Sequence, residues 1–72
     1  MKLNYYKDTD SLYIDLSLTK SVESQEISNG VVIDYDNAGN ITGIDIDNAS
    51  NILDLKELTM SHLPLQQQTI SA

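Results

Sequence analysis

From Ser11 to Leu18 the chain alternates without a break, with Leu12, Ile14, Leu16 and Leu18 set against Ser11, Tyr13, Asp15 and Ser17. A two-residue period sends successive side chains to opposite faces of a strand. The segment therefore predicts a half-buried β-strand with one apolar and one wet face. Just before it, Leu3 and Tyr5 alternate with Lys2, Asn4 and Tyr6, and the link Lys7-Asp8-Thr9-Asp10 is polar and rich in turn-forming aspartate. Together the two runs predict a hairpin.

A second pair follows. Val31, Ile33 and Tyr35 alternate with Val32, Asp34 and Asp36, and Ile44 and Ile46 with Asp45 and Asp47. Between them, Asp36-Asn37-Ala38-Gly39-Asn40 places aspartate first and glycine fourth. That pattern suits a type I turn closed by a left-handed glycine. Ile41 falls out of phase with Ile44 and Ile46, which predicts a β-bulge at Gly43. Asn29-Gly30 is a further turn signal, and it allows Ser24 to Ile27 to add a short strand ahead of it.

Near Ala49 the period changes. Asp54-Leu55-Lys56-Glu57 has the form of a capping box, and predicts a short helix from about Leu55 to Met60 after an irregular turn through Asn51, Ile52 and Leu53. Such a helix would cover one face of the sheet. Pro64 ends the pattern. The expected architecture is a small α+β domain over residues 1–63, with two β-hairpins, four to five strands in one antiparallel sheet and a C-terminal helix on one face. Residues 64–72 are expected to form a mobile tail.

With 72 residues, the chain holds one domain whose stability margin is thin. Chains of this size are often reinforced by disulfides, metals or self-association. Cysteine is absent, which also excludes thiol chemistry, and the lone histidine, His62, offers little to a zinc site. A homodimer is the remaining reinforcement. The N-terminus carries no apolar run after its charge, and no stretch nears the ~20 apolar residues of a membrane span. A cytoplasmic protein without membrane contact is the expectation. Eleven acidic against four basic residues give a net charge of -7, which disfavours direct nucleic-acid binding and suits a small basic protein partner.

The residues that could carry chemistry each have a structural explanation as well. Asp34, Asp36, Gly39 and Asp45 fall at the first, third, sixth and twelfth places of an EF-hand-like loop. Ala38 stands at a ligand position, however, the twelfth residue is not the preferred glutamate, and strands flank the segment where helices belong. A divalent-metal protein or hydrolase built on Asp34, Asp36 and Asp45 is the alternative function. Catalysis needs a partly dry pocket to shift a pKa, which a small sheet under one helix scarcely provides. No catalytic, cofactor-binding or metal residue is therefore assigned. Tyr6 and Tyr13 fall on the polar face, and with Asp15 they form the candidate interface.

Several of these residues also occur in a recognisable order. Tyr5-Tyr6, Asp8 and Asp10, Leu12-Tyr13-Ile14, Glu23-Ser24, Gly30-Val31-Val32-Ile33-Asp34-Tyr35-Asp36, Gly39, Gly43-Ile44-Asp45-Ile46 and Ala49-Ser50 resemble domain-of-unknown-function family 2283, over Tyr5 to about Leu53. This sequence departs from the pattern at Thr9, between two turn aspartates, and in the tail after Leu63. The resemblance implies the same two-hairpin opening and helical ending, and supplies no catalytic residues. It also implies an antitoxin-like role, because members of the family look as though they often lie beside small proteins of a ribonuclease-toxin type. The function expected is a non-catalytic protein-interaction module.

Overall fold

The computed structural model describes residues 1–56, Ser61 and the backbone of Ile70 and Ser71. Its elements are β1 (Lys2–Tyr6), β2 (Ser11–Asp15), β3 (Glu23–Ser28), β4 (Val31–Tyr35), β5 (Ile41–Ile46), α1 (Ala49–Ile52) and β6 (Ile70–Ser71). The strands form one sheet in the order β3-β4-β5-β2-β1-β6. All neighbours are antiparallel except β1 and β6. The protein is thus largely β, a sheet with one short helix. The segment before Val31 forms a full six-residue strand, so β3, β4 and β5 run as a meander, while β2 pairs with both β1 and β5.

Register explains why alternation decides the two faces. Leu3 lies opposite Ile14, which lies opposite Ile44, which lies opposite Ile33, while Tyr5, Leu12, Ile46 and Val31 form the adjacent row. Because i and i+2 share a face, both rows lie on one side. Leu12 and Ile46 are buried there with Ala49, and Leu3, Tyr5, Ile14, Val31, Ile44 and Leu53 pack around them. Full burial of a large aliphatic side chain is worth roughly 1.5–3 kcal/mol, so a core this small leaves the rest of the structure to supply much of the order.

The β4–β5 turn has the geometry its sequence predicts. Gly39 sits at φ 83 and donates its N–H to the Asp36 carbonyl at 3.0 Å. The buried Asp36 carboxylate accepts the N–H groups of Ala38 and Asn40, each at 2.9 Å. At the β3–β4 turn only Gly30, at φ 81, is left-handed. A type I′ turn would need both central residues there. The bulge falls one residue before its predicted place: register shifts between Asp34↔Gly43 and Tyr35↔Ile41, so Thr42 is the extra residue. Thr42 is buried, its hydroxyl shares a 2.7 Å hydrogen bond with Ser21, and its carbonyl accepts from Leu16 N–H.

Two expected boundaries are corrected. β2 stops at Asp15 although the apolar alternation runs on to Leu18, which is fully exposed. The cause is local, since the Ser17 hydroxyl accepts the Thr19 N–H at 3.1 Å and turns the chain out of the sheet. The second is the irregular turn expected through Asn51, Ile52 and Leu53: a short helix, α1, runs from Ala49 to Ile52 instead, and Asn48 gives it no side-chain cap. Asp54 does accept the Lys56 N–H at 3.1 Å, the first half of the predicted capping box. Most of the helix expected from Leu55 to Met60, Glu57 to Met60, lies outside the described residues, as do His62 and most of the 64–72 tail. Among the described residues, no helix is long and apolar enough to cross a membrane.

Candidate interaction surface

The face opposite the core is built by the same registers. One row reads Glu26, Val32, Asp45, Tyr13 and Asn4, and the next Ser24, Asp34, Gly43, Asp15 and Lys2, from β3 across to β1. These ten positions carry four carboxylates and one cation. Asp47 extends the acidic character past the end of β5, where it accepts a 3.3 Å hydrogen bond from the Ser11 hydroxyl.

Tyr13 organises this face. Its ring crosses β5 above Gly43, and its hydroxyl donates to Asp34 Oδ2 on β4 at 2.8 Å. Ser24 on β3 donates to Asp34 Oδ1 at 2.6 Å, so three strands, β2, β3 and β4, are tied through a single carboxylate across β5. Glycine at position 43 makes this possible: a Cβ there would stand 2.6 Å from Tyr13 Cζ, closer than side chains tolerate. Its φ is not in the left-handed region. The position is glycine for space, to let an aromatic ring lie flat on the strand.

The hydrogen bond to Asp34 pushes the Tyr13 phenol up to about 12, with help from desolvation and from the Asp34, Asp15 and Asp45 charges. Asp45 is raised too, mainly by burial and then by Asp47 and Asp34. Tyr6 is 53 % exposed on β1, opposite Ser11, beside an open concavity of about 450 Å³ lined by Tyr5, Tyr6, Lys7, Asp8 and Thr9. Asp15 is half-buried between Lys2 and Gly43 in the register. Tyr6, Tyr13 and Asp15 therefore share one face, but not one role. Tyr6 is a free aromatic surface, whereas the Tyr13 hydroxyl is already committed to Asp34.

The carboxylates of the alternative reading do not converge. Asp34 serves Tyr13 and Ser24, and Asp36 is turned into its own loop to hold Ala38 and Asn40. Among the described residues, no three His, Asp or Glu side chains form a group able to hold a metal ion.

A second cluster escapes sequence reading. Asp10, at φ 52, accepts from the Tyr5 hydroxyl at 2.7 Å, from Ser50 N–H at 3.1 Å and from the Ser50 hydroxyl at 2.6 Å, while its carbonyl accepts Ala49 N–H at 2.9 Å. The β1–β2 turn thus provides the N-terminal cap that Asn48 does not give α1. The hydrogen bond from Ser50, and then that from Tyr5, hold the Asp10 carboxyl below its ordinary value, and the Asp10 bond raises Tyr5.

The molecule is thus a small, largely antiparallel single-sheet protein with one apolar and one acidic, tyrosine-bearing face. A family model described as a protein of unknown function, DUF2283, matches residues 2–50, and the chain belongs to that family. No curated protein and no solved structure matches it.

Proposed function

We propose that this protein is a non-catalytic interaction module that binds a small basic protein through its acidic face, with Tyr6 as the exposed anchor and Tyr13 and Asp15 as the fixed floor. The observation behind this is the ordered polar face itself. Its carboxylates outnumber its cations, and the Tyr13–Asp34–Ser24 hydrogen bonds cross-link its side chains. A prearranged surface loses little entropy on binding, and aromatic residues at its margin supply contact area at low cost. Complementary charge raises the association rate and selects partners by sign. An antitoxin-like role, which kinship suggests, would be one instance, with the acidic face covering a basic partner's working surface.

The test is the mass of the complex recovered with the protein from its own cells. A small basic protein that co-purifies at low salt, dissociates as salt rises, and is lost with Tyr6→Ala or Asp15→Lys is the expected outcome. Recovery of no specific basic protein would end this reading.

A further inference from the structure

The two edges of the sheet differ in what borders them. β6 runs beside β1, its Ile70 and Ser71 parallel to Leu3 and Asn4. β3, at the opposite end of the strand order, has no outer neighbour among the described residues, and all six of its side chains are exposed. An antiparallel strand directs only half of its backbone groups at any one neighbour, so among the described residues the outer donors and acceptors of β3 have no strand to pair with. Edges are commonly blunted by shortness, proline or lysine. β3 has six residues and neither proline nor lysine. Its one irregularity is the register shift between Glu26 and Ser28.

The side chains along this edge are specific. Glu26 lies opposite Val32, on the acidic face beyond Asp45, whereas Glu23 lies opposite Tyr35, on the apolar side. Two exposed aliphatics flank them: Val22, whose N–H donates to the Tyr35 carbonyl at 2.8 Å, and Ile27.

We infer that the β3 edge receives an extended, lysine- or arginine-bearing segment of the basic partner, added to the sheet as a further strand. This rests on the reading proposed above and specifies its mode. In strand addition, backbone hydrogen bonds give affinity and alternate side chains give selectivity. Glu23 and Glu26 are three positions apart and on opposite faces, so the incoming strand carries cations three positions apart, one over each face. Apolar residues on the outer side of each cation meet Val22 and Ile27. A second copy of this chain is the poorer occupant. It would bring another β3, with two carboxylates and no cation, to the same edge of a molecule with a net charge of -7.

The probe is a synthetic octapeptide, Thr-Val-Lys-Thr-Thr-Lys-Val-Thr, followed by amide hydrogen exchange read by NMR. At millimolar peptide the Glu23–Ser28 amides are expected to gain protection. The double variant Glu23→Lys, Glu26→Lys, checked for unchanged circular dichroism, is expected to lose about tenfold in affinity and to bind the same peptide with glutamate in place of lysine. Absence of protection at β3 would overturn the inference. So would equal binding of a shuffled peptide with adjacent lysines, or β3 protection without peptide together with a concentration-dependent mass, which would mean a second copy. Failure here is distinct from failure of the broader reading. If the partner captured from cells binds the double variant normally but not Tyr6→Ala or Asp15→Lys, the edge is wrong and the acidic face stands.

Discussion

Two turns of this molecule each hinge on an aspartate, and they use it in opposite ways. In the β4–β5 turn, the Asp36 carboxylate accepts N–H groups two and four residues ahead, and everything it stabilises lies within its own loop. In the β1–β2 turn, Asp10 reaches Tyr5 behind it and Ser50 forty positions on, joining the first hairpin to α1. The first closes a turn that its own sequence already favours. The second is a tertiary contact, and it organises a helix too short to persist alone.

Removing Asp10 is therefore expected to have the largest effect. Asp10→Ala strips three hydrogen bonds and a cap at once, and should lower the unfolding midpoint more than any change at Asp36, with loss of amide protection from Ala49 to Ile52. Asp10→Gly tolerates the left-handed backbone and should be nearly as damaging. If it were harmless, the role of Asp10 would be backbone conformation and the contrast would fail.

Gly43→Ala comes next. The new Cβ meets the Tyr13 ring, and overpacking of this kind costs about 1–3 kcal/mol. The same change in a Tyr13→Ala background should cost much less, as a double-mutant cycle in denaturant would show. Asp36→Ala should cost about 1–2 kcal/mol, with faster exchange confined to Ala38 and Asn40. Any spread of that effect beyond the turn would blur the distinction from Asp10.

Acid pH gives a second test of Asp10. The folded Asp10 carboxyl lies below its ordinary 3.8, so its contribution is fully present above that value and disappears as pH falls through the folded pKa. Asp10→Asn should flatten this part of the acid limb of the stability curve. The smallest effect belongs to Tyr13→Phe, which removes one hydrogen bond and costs up to about 1.5 kcal/mol. Because the folded Tyr13 pKa is raised to about 12 from 10.0, the stability it contributes is present below 10 and fades between the two values. The variant should lack the ultraviolet phenolate transition near 12.

The contrast also explains what could be read from the sequence. The antiparallel sheet, the Asp36–Gly39 turn and a bulge near Gly43 follow from residues within a few positions of one another. β2 ends early because Ser17 diverts the chain, a local signal outvoted on paper by the Leu16 and Leu18 alternation. α1 was illegible for a deeper reason. Its cap comes from Asp10, and nothing in Asn48-Ala49-Ser50 announces that partner. Tyr13 was placed on the correct face by parity, but its bond to Asp34 depends on a glycine in the strand between them. Only the register supplies that connection.

The pairing of β6 with β1 bears on the order of assembly. Leu3 and Ile70 come from the two ends of the described sheet, and this parallel pairing closes the longest loop in it. Loop closure grows costlier with length, and long-range strand pairing is slow to form. The hairpins can be complete while β1 still lacks that neighbour. Of these six strands β1 is made first and gains its outer neighbour last, which leaves its outer edge an open template for mispairing with other nascent chains in that interval.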